Sequence, residues 1–464
     1  MIYCAGKGRM KDNCMFYHNG IYYLFSMYTK DNVLFNNIWL ATSEDGVHFR
    51  DYGCVVEDFP KQIWAMKVYR GNDGFYMNSG SFTDNGKQVV LKFWYSHNLT
   101  DWEYMPELDV ISPEWDKEGI RLDCMCVVSR EGTYHGYATG QYGYLTSEDG
   151  AHWKAQQVNI DYQPFPPYNT ALGGFEIADF IWMDGMYYLL CGGFGHLGSD
   201  GYGVYVFESK RPDGPFVPSL PFYRINGTSK RWVNMWERCF EKDGALLAHN
   251  YMYDGYSYEC GNVYLPPIKK LEKNRHGLRL VWWEGNEALR GNLAAETERL
   301  QAKSPAFDVF AKISDCVISR GTELPGNGAA FIEAQMTLDE NSFTQYSCGG
   351  LYLEEKDNEG MAILFDTYGK CEIARVQNNR IKAVEDTIRF PSAASYYLEG
   401  GKTYSIKVIT KNGMFEVYVD DVYLQTFNSA HCPDSVSVPF RSCGAISLRK
   451  GCTISDLRIY QLNL

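Results

Sequence analysis

The chain has 464 residues, enough for two or three domains of ordinary size. Aromatic residues make up 15% of it and 44 glycines accompany them, which disfavours disorder and coiled coil and favours many short β-strands and turns. The net charge of −13 argues against a nucleic acid or an anionic membrane as the main partner, and an acidic, ring-rich protein favours a neutral polar ligand such as carbohydrate.

The amino-terminal segment lacks the basic and then apolar pattern of a secretory signal, and no run approaches the ~18 apolar residues of a spanning helix. The 14 cysteines are scattered along the chain and do not form the compact pattern of a disulfide framework. We therefore predict a cytoplasmic protein with buried thiols.

A short motif recurs about every fifty residues. Ser43-Glu44-Asp45-Gly46 returns as Ser147-Glu148-Asp149-Gly150, with weaker copies starting at Ser96 and Ser209. Upstream of each copy lies a turn with glycine followed by an aromatic strand, and a fifth such turn follows near residue 244. These turn glycines are Gly20, Gly74, Gly132, Gly185 and Gly244. Asn-Gly or Asp-Gly between alternating strands is a strong hairpin signal, so five four-stranded units, a five-bladed β-propeller, are predicted over 1–285.

After residue 285 the repeat disappears. Good helix formers with apolar spacing over 286–304 predict a short helical linker. From 305 to 464 about ten short strand patterns separated by turns predict a β-sandwich. The predicted fold is thus all-β, a propeller followed by a carboxy-terminal sandwich.

Counting residues back from each turn glycine identifies equivalent positions on the innermost strands, which converge on the centre of a propeller. Asp12, Asp123 and Glu176 lie eight or nine residues before their turn glycines, so we predict that the three carboxylates meet in one pocket. Clustered carboxyls hold different protonation states at one pH, and a paired acid and anion is the machinery of glycoside cleavage. The alternatives are a solvated turn for Asp12, an ion pair with Arg121 for Asp123, and a surface position for Glu176.

At these three positions the sequence resembles the five-bladed glycosidases of glycoside hydrolase families 32, 43 and 68. The stretch around Asp12 resembles the family 32 segment that holds the nucleophile. Arg121-Leu122-Asp123 resembles its Arg-Asp-Pro stretch, whose Asp stabilises the transition state. Glu176-Ile177-Ala178-Asp179 is similar to its Glu-Cys-Pro-Asp segment, where the Glu is the general acid/base. The predicted sandwich favours family 32.

The resemblance implies a glycoside hydrolase that cleaves furanosidic linkages, β-fructofuranosides foremost, with retention of configuration. Asp12 would attack the anomeric carbon, Glu176 would protonate the leaving oxygen, and Asp123 would stabilise the developing charge. An inverting arabinofuranosidase or xylosidase like those of family 43, with Asp12 as general base, is one alternative. A carbohydrate-binding propeller without turnover is the other.

Candidate substrate-binding residues are Arg121 beside Asp123, and Trp64, Trp236 and Glu237 near the inner ends of blades two and five. For Glu237 an ion pair with Arg238 or Arg121 is the alternative. The expected partner is an oligosaccharide or small glycoside, with no nucleic acid and no membrane. No histidine or cysteine spacing predicts a metal, and the Gly193–Gly198 stretch leads into a strand pattern where a dinucleotide site needs a helix, so no cofactor is expected.

Overall fold

The computed structural model describes residues 1–31, 33–82, 89–111, 123–139, 143–156, 176–194, 201–219, 224–257, 261–274, 277–304, 315–343, 345–388 and 397–464. The chain is an all-β protein, a five-bladed propeller followed by a β-sandwich, as the repeat predicted. Within the described ranges, regular helix is confined to two 3-10 turns, Pro106–Leu108 and Glu284–Leu289. None of the helices in these ranges has the length and apolar character needed to cross a bilayer.

Each of the first three blades is an antiparallel sheet whose strands follow chain order from the propeller centre outwards. Blade one consists of β1 (Arg9–His18), β2 (Ile21–Thr29), β3 (Asn37–Ser43) and β4 (Arg50–Val56). Blade two consists of β5 (Trp64–Arg70), β6 (Phe75–Phe82), β7 (Val89–Ser96) and β8 (Glu103–Tyr104), with β9 (Val110–Ile111) on β7. Blade three consists of β10 (Met125–Arg130), β11 (Thr133–Ala138), β12 (Tyr144–Ser147) and β13 (Lys154–Ala155).

Blades four and five follow the same plan. Blade four consists of β14 (Glu176–Met183), β15 (Met186–Phe194), β16 (Tyr202–Ser209) and β17 (Val217–Pro218), with β18 (Arg224–Gly227) on β16. Blade five consists of β19 (Asn234–Lys242), β20 (Ala245–Tyr253), β22 (Lys269–Asn274) and β23 (Gly277–Trp282), with β21 (Val263–Tyr264) on β20.

The turn glycines form the hairpins that the sequence predicted. In blade one Asn19 and Gly20 both have positive φ (49° and 82°), the type I′ geometry that matches the twist of paired strands. Blades three, four and five repeat this pair of positive φ values. Blade two differs, because its hairpin has a longer loop over 71–74 in which the Gly71 N–H donates to the Gly74 carbonyl at 2.9 Å.

The recurring Ser-x-Asp-Gly motif caps the turn after the third strand of a blade. The Ser43 hydroxyl accepts the Gly46 N–H at 2.9 Å, and Asp45 Oδ1 accepts the next two backbone N–H groups. The copy at Ser147 and Asp149 makes the same bonds. The motif therefore recurs because each of these turns needs side-chain oxygens that accept its backbone N–H groups.

Some of the aromatic residues pack between neighbouring blades. Tyr137 of blade three contacts Phe180 of blade four with ring centroids 4.8 Å apart and edge-to-face geometry. Tyr22 of blade one meets Phe240 of blade five at 6.1 Å, which closes the ring of blades. Such pairs add to the burial of large apolar surfaces.

The sandwich consists of two antiparallel sheets. In chain order their strands are β24 (Arg290–Lys303), β25 (Val317–Glu323), β26 (Ala330–Leu338), β27 (Cys348–Lys356), β28 (Glu359–Asp366), β29 (Cys371–Gln377), β30 (Ile381–Ile388), β31 (Thr403–Lys411), β32 (Met414–Val419), β33 (Val422–Asn428), β34 (Ser442–Arg449) and β35 (Gly451–Leu462). One sheet has the order β33-β32-β31-β26-β35-β24 and the other β25-β34-β27-β28-β29-β30.

The prediction of a helical linker over 286–304 is wrong. After the 3-10 turn Glu284–Leu289 the chain enters β24, which pairs along its length with the last strand, from Arg290↔Leu462 to Lys303↔Gly451. Helix propensity is a weak preference, and a ladder to a distant strand overrides it. The described cysteines are all free thiols, and most of them are buried.

The two parts of the molecule share a continuous sheet. Val281 of β23, the outer strand of blade five, pairs with Val422 of β33 in the sandwich. Behind this junction Lys269 and Glu416 form an ion pair at 2.7 Å with both side chains fully buried. The sandwich is therefore anchored to blade five by backbone pairing and by buried charge.

Candidate active site

The innermost strands form a closed ring. β1 contacts β5 and β19, β5 contacts β10, β10 contacts β14, and β14 contacts β19. Asp12, Asp123 and Glu176, the residues predicted from their spacing to the turn glycines, lie at or next to the amino-terminal ends of these strands. The ring brings together side chains that are far apart in the sequence.

Bulges interrupt the inner ladders at these ends. The β1–β2 register shifts between Lys11 and Cys14, and Asp12 has a left-handed backbone with φ of 48°. The β5–β6 and β19–β20 ladders shift at the corresponding places, where Ala65 (φ 49°) and Trp236 (φ 59°) are also left-handed. Bulges bend a strand and re-aim its side chains, so they decide which residues face the centre.

The first carboxylate, Asp12, is buried, with 7% of its surface exposed. Its Oδ1 accepts a hydrogen bond of 2.6 Å from the Tyr251 hydroxyl of β20. Burial, and next the charge of Asp12, hold the pKa of Tyr251 well above its usual range, so this phenol is a donor at neutral pH. The bond fixes the orientation of the Asp12 carboxylate.

The other two carboxylates lie at the ends of β10 and β14. Asp123 is buried just before β10, and its backbone carbonyl accepts the Gly80 N–H of blade two. Glu176 is half-buried as the first residue of β14. Its Oε2 lies 3.5 Å from the Tyr202 hydroxyl of β16.

The three carboxylates share one end of the ring of inner strands. Asp12 lies near the start of β1, Asp123 directly precedes β10 and Glu176 begins β14, and all three strands belong to the closed ring. Beside Glu176 the Tyr202 phenol is fully buried, and its pKa is held well above the usual range by burial and then by the charges of Glu176, Asp12 and Asp123. The ring therefore brings the three predicted residues to the same end of the propeller centre.

Sequence reasoning missed Tyr202 and Tyr251, which lie on strands further out in their blades. A signal for Tyr202 existed in the glycine pair 192–193 inside an aromatic strand. A Cβ on Gly192 would lie 1.6 Å from the Tyr202 hydroxyl oxygen, so only glycine leaves room for the phenol to reach Glu176.

The predicted aromatic residues have different environments. The Trp64 ring is half-buried and packs edge-to-face on Phe82 with centroids 4.6 Å apart. Trp236 is only 4% exposed, and the Arg238 guanidinium lies 4.6 Å from its ring centroid. The predicted binding residue Arg121 lies outside the described residues.

Glu237 faces away from the carboxylate site and towards the sandwich. It is fully buried, and its Oε2 accepts a hydrogen bond of 2.5 Å from Asn226, which also binds Tyr423 of β33. Burial raises the pKa of Glu237 to about 7, against the lowering effect of Lys269 and of the Asn226 hydrogen bond. The structure thus places it in the interface between propeller and sandwich, apart from the other candidates.

Below the carboxylates a buried ion pair joins three blades. Lys67 Nζ lies 2.7 Å from Asp179 Oδ2 and 3.1 Å from the Cys239 carbonyl, and Asp179 accepts the Cys239 N–H at 2.6 Å. These contacts tie blades two, four and five together directly beneath the site. They restrain the strands whose upper ends carry the candidate residues.

This fold is that of glycoside hydrolase family 32 enzymes, in which a propeller precedes a sandwich. Among solved structures the chain is similar to the GH32 β-fructofuranosidase BmSUC1 of Bombyx mori (TM-score 0.69, 11% identity, covering 99% of this chain and 92% of that one). It is also similar to fructan 1-exohydrolase IIa of Cichorium intybus (TM-score 0.69, 14% identity, covering 99% of this chain and 96% of that one). A third similar structure is sucrose-6-phosphate hydrolase of Lactobacillus gasseri (TM-score 0.65, 14% identity, covering 98% of this chain and 93% of that one).

At these identities the likeness is one of fold. The sequence itself matches no protein-family model. It also matches no curated protein.

The raised pKa of Glu237 makes stability depend on pH. The folded protein retains on this carboxyl a proton that the unfolded chain loses above its ordinary pKa of 4.5, so this stabilisation is full below 4.5 and is lost as pH rises to about 7. We expect Glu237→Gln to become more stable relative to the parent as pH rises, by about 3 kcal/mol at pH 8. Denaturant unfolding of both proteins from pH 4.5 to 8 measures the difference.

Glu241→Gln, at an exposed position on the same strand, is the control for the loss of a carboxyl group that lies in solvent. A stability difference between Glu237→Gln and the parent that does not change with pH would contradict the assignment of a buried, proton-retaining carboxyl.

Proposed function

We propose that the protein is a glycoside hydrolase that cleaves furanosidic linkages, β-fructofuranosides foremost, with retention of configuration. The observation that carries the proposal is the placement of Asp12, Asp123 and Glu176 at one end of the ring of inner strands, where Glu176 lies 3.5 Å from the buried Tyr202 hydroxyl. Fructofuranosidases and a fructan exohydrolase share the fold, and one such exohydrolase has been crystallised with 1-kestose, which supports an oligosaccharide substrate.

In the proposed reaction the Asp12 carboxylate attacks the anomeric carbon while Glu176 donates a proton to the departing glycosidic oxygen. The resulting ester between Asp12 and the sugar is then hydrolysed by a water whose proton returns to Glu176. Tyr251 supports this role of Asp12, because its hydrogen bond holds the carboxylate in one orientation. Asp123 supplies a negative charge beside the oxocarbenium-like transition state.

Two carboxylates and two phenols of the site are shielded from bulk water. Asp12 and Asp123 are both almost fully buried, and their neighbours Tyr202 and Tyr251 are buried phenols that remain protonated at neutral pH. Charges in such a place interact more strongly than in water.

The test is an assay of the purified protein on sucrose, 1-kestose and an aryl arabinofuranoside, with Glu176→Gln beside it. We expect hydrolysis of a fructoside by the parent and a loss of roughly 10²–10⁴-fold in kcat for the variant, because general acid catalysis is removed. A substrate whose leaving group needs no proton should lose much less.

Glu131→Gln, at an exposed hairpin at the far end of blade three, is the matched control and should keep full activity. NMR of the first-formed anomer distinguishes retention from inversion. Activity unchanged by Glu176→Gln would sink the assignment, and sugar binding without turnover of any glycoside would favour a non-catalytic binding protein.

A further inference from the structure

Two inner strands hold backbone conformations that their residues adopt only under constraint. Ala65 and Trp236 have φ of 49° and 59°, in the left-handed region that residues with a Cβ avoid, and an indole is among the bulkiest side chains there. Such outliers persist where the surrounding structure dictates them, and they collect at functional sites. Both occur at bulges near the amino-terminal ends of their strands.

One buried side chain reaches both bulges. Arg238 is 1% exposed, and its guanidinium lies 4.6 Å from the Trp236 ring centroid. Its Nη1 donates to the backbone carbonyl of Met66, the residue after Ala65. Arg238 therefore contacts the indole of one strained residue and the chain next to the other.

The same guanidinium also reaches blade three. Arg238 Nη2 lies 3.0 Å from Cys124 Sγ, and Cys124 directly follows Asp123. Arg238 thus contacts the strained Trp236 itself, the residue after the strained Ala65, and the residue after the candidate Asp123. A planar guanidinium can stack with its face and donate from its edges at once, which the single ammonium of lysine cannot do.

We infer that Arg238 is a positioning residue of the carboxylate site: its guanidinium fixes Trp236, the bulge at Ala65 and the strand of Asp123 relative to one another. The effect of Arg238 on catalysis rests on the proposed function. Its structural role, in which Arg238 holds Trp236 in the left-handed conformation, stands apart from any activity.

The test compares Arg238→Met with Lys92→Met, which removes a different buried cation. Lys92 binds Asp109 at 2.9 Å and Tyr104 at 2.7 Å in the outer part of blade two, so its loss destabilises the blade without touching the inner bulges. At a temperature where both variants are folded, we expect Arg238→Met to lower kcat/KM by roughly 10–100-fold, since small misplacements of reacting groups have effects of this size. Lys92→Met should keep the parent kcat and KM.

Crystal structures of both variants give a readout that does not depend on turnover. We expect the Trp236 backbone to leave the left-handed region in Arg238→Met and to remain there in Lys92→Met. If Arg238→Met does not fold, Arg238→Lys replaces it in both measurements. This variant keeps the positive charge but lacks the planar guanidinium.

A Trp236 conformation unchanged in the Arg238 variant, or kinetic losses equal to those of Lys92→Met, would overturn the inference. If the parent hydrolyses no glycoside, the proposed function fails and the crystal structures alone decide the role of Arg238.

Discussion

Asp12→Asn is expected to lower kcat of the glycoside reaction by at least roughly 10³-fold, because the amide cannot form the covalent intermediate. Asparagine tolerates the left-handed backbone that Asp12 adopts at φ of 48°, and its carbonyl oxygen can still accept the Tyr251 hydroxyl. The variant should therefore keep its fold, and the loss should be in chemistry. Steady-state kinetics on the preferred fructoside and thermal unfolding measure the two quantities.

Asp184→Asn is a close control for this substitution. Asp184 has the same left-handed backbone (φ 49°) but lies exposed in the hairpin at the far end of blade four. It should keep the parent kcat. A kcat for Asp12→Asn that stays within a few-fold of this control would remove Asp12 from the reaction.

Lys269→Met is expected to cost about 3–5 kcal/mol of unfolding free energy, the largest stability effect that we expect from a single substitution. Lys269 and Glu416 pair at 2.7 Å with no solvent exposure, and the buried Glu237 lies near the same cation. Removing the ammonium leaves carboxylates buried without their counter-charge. Denaturant unfolding at pH 7 measures the loss.

Lys30→Met provides the exposed counterpart, because Lys30 pairs with Glu57 at 2.6 Å while both side chains remain in solvent. It should change the unfolding free energy very little, because solvent screens an exposed ion pair. The double variant Lys269→Met/Glu416→Leu should recover much of the stability, since replacing a whole buried pair by apolar groups is often nearly neutral. Equal losses for Lys269→Met and Lys30→Met would contradict the buried-pair account.

The interface around Glu416 also shows how the sandwich can matter to the site. Trp236 and Glu237 are neighbours at the same bulge, yet Trp236 packs on Arg238 in the propeller and Glu237 binds Asn226 beside the sandwich. Substitutions in the interface therefore reach the strand that carries Trp236. The Glu237→Gln and Lys269→Met variants both probe that connection from blade five.

The sequence by itself determined the five-bladed plan and the position of the three carboxylates along their strands. Both depend on local patterns: hairpin glycines with positive φ, and turn acceptors such as Ser43 and Asp45 that bind the next few backbone N–H groups. Because the same short unit recurs, an offset from Gly20 in one blade corresponds to an offset from Gly185 in another. Local chemistry of this kind is readable without knowing which strands meet.

The tertiary structure alone decided the features that depend on distant pairing or on bulges. Strand β24 contains good helix formers, and only its ladder to β35, more than a hundred residues away, makes it extended. Glu237 lies one residue from Trp236, and a bulge changes which side of a strand a residue faces, so spacing could not place it at the site or at the interface. Tyr251 and Arg238 make their contacts across blades, and contacts between blades leave no periodic trace in the sequence.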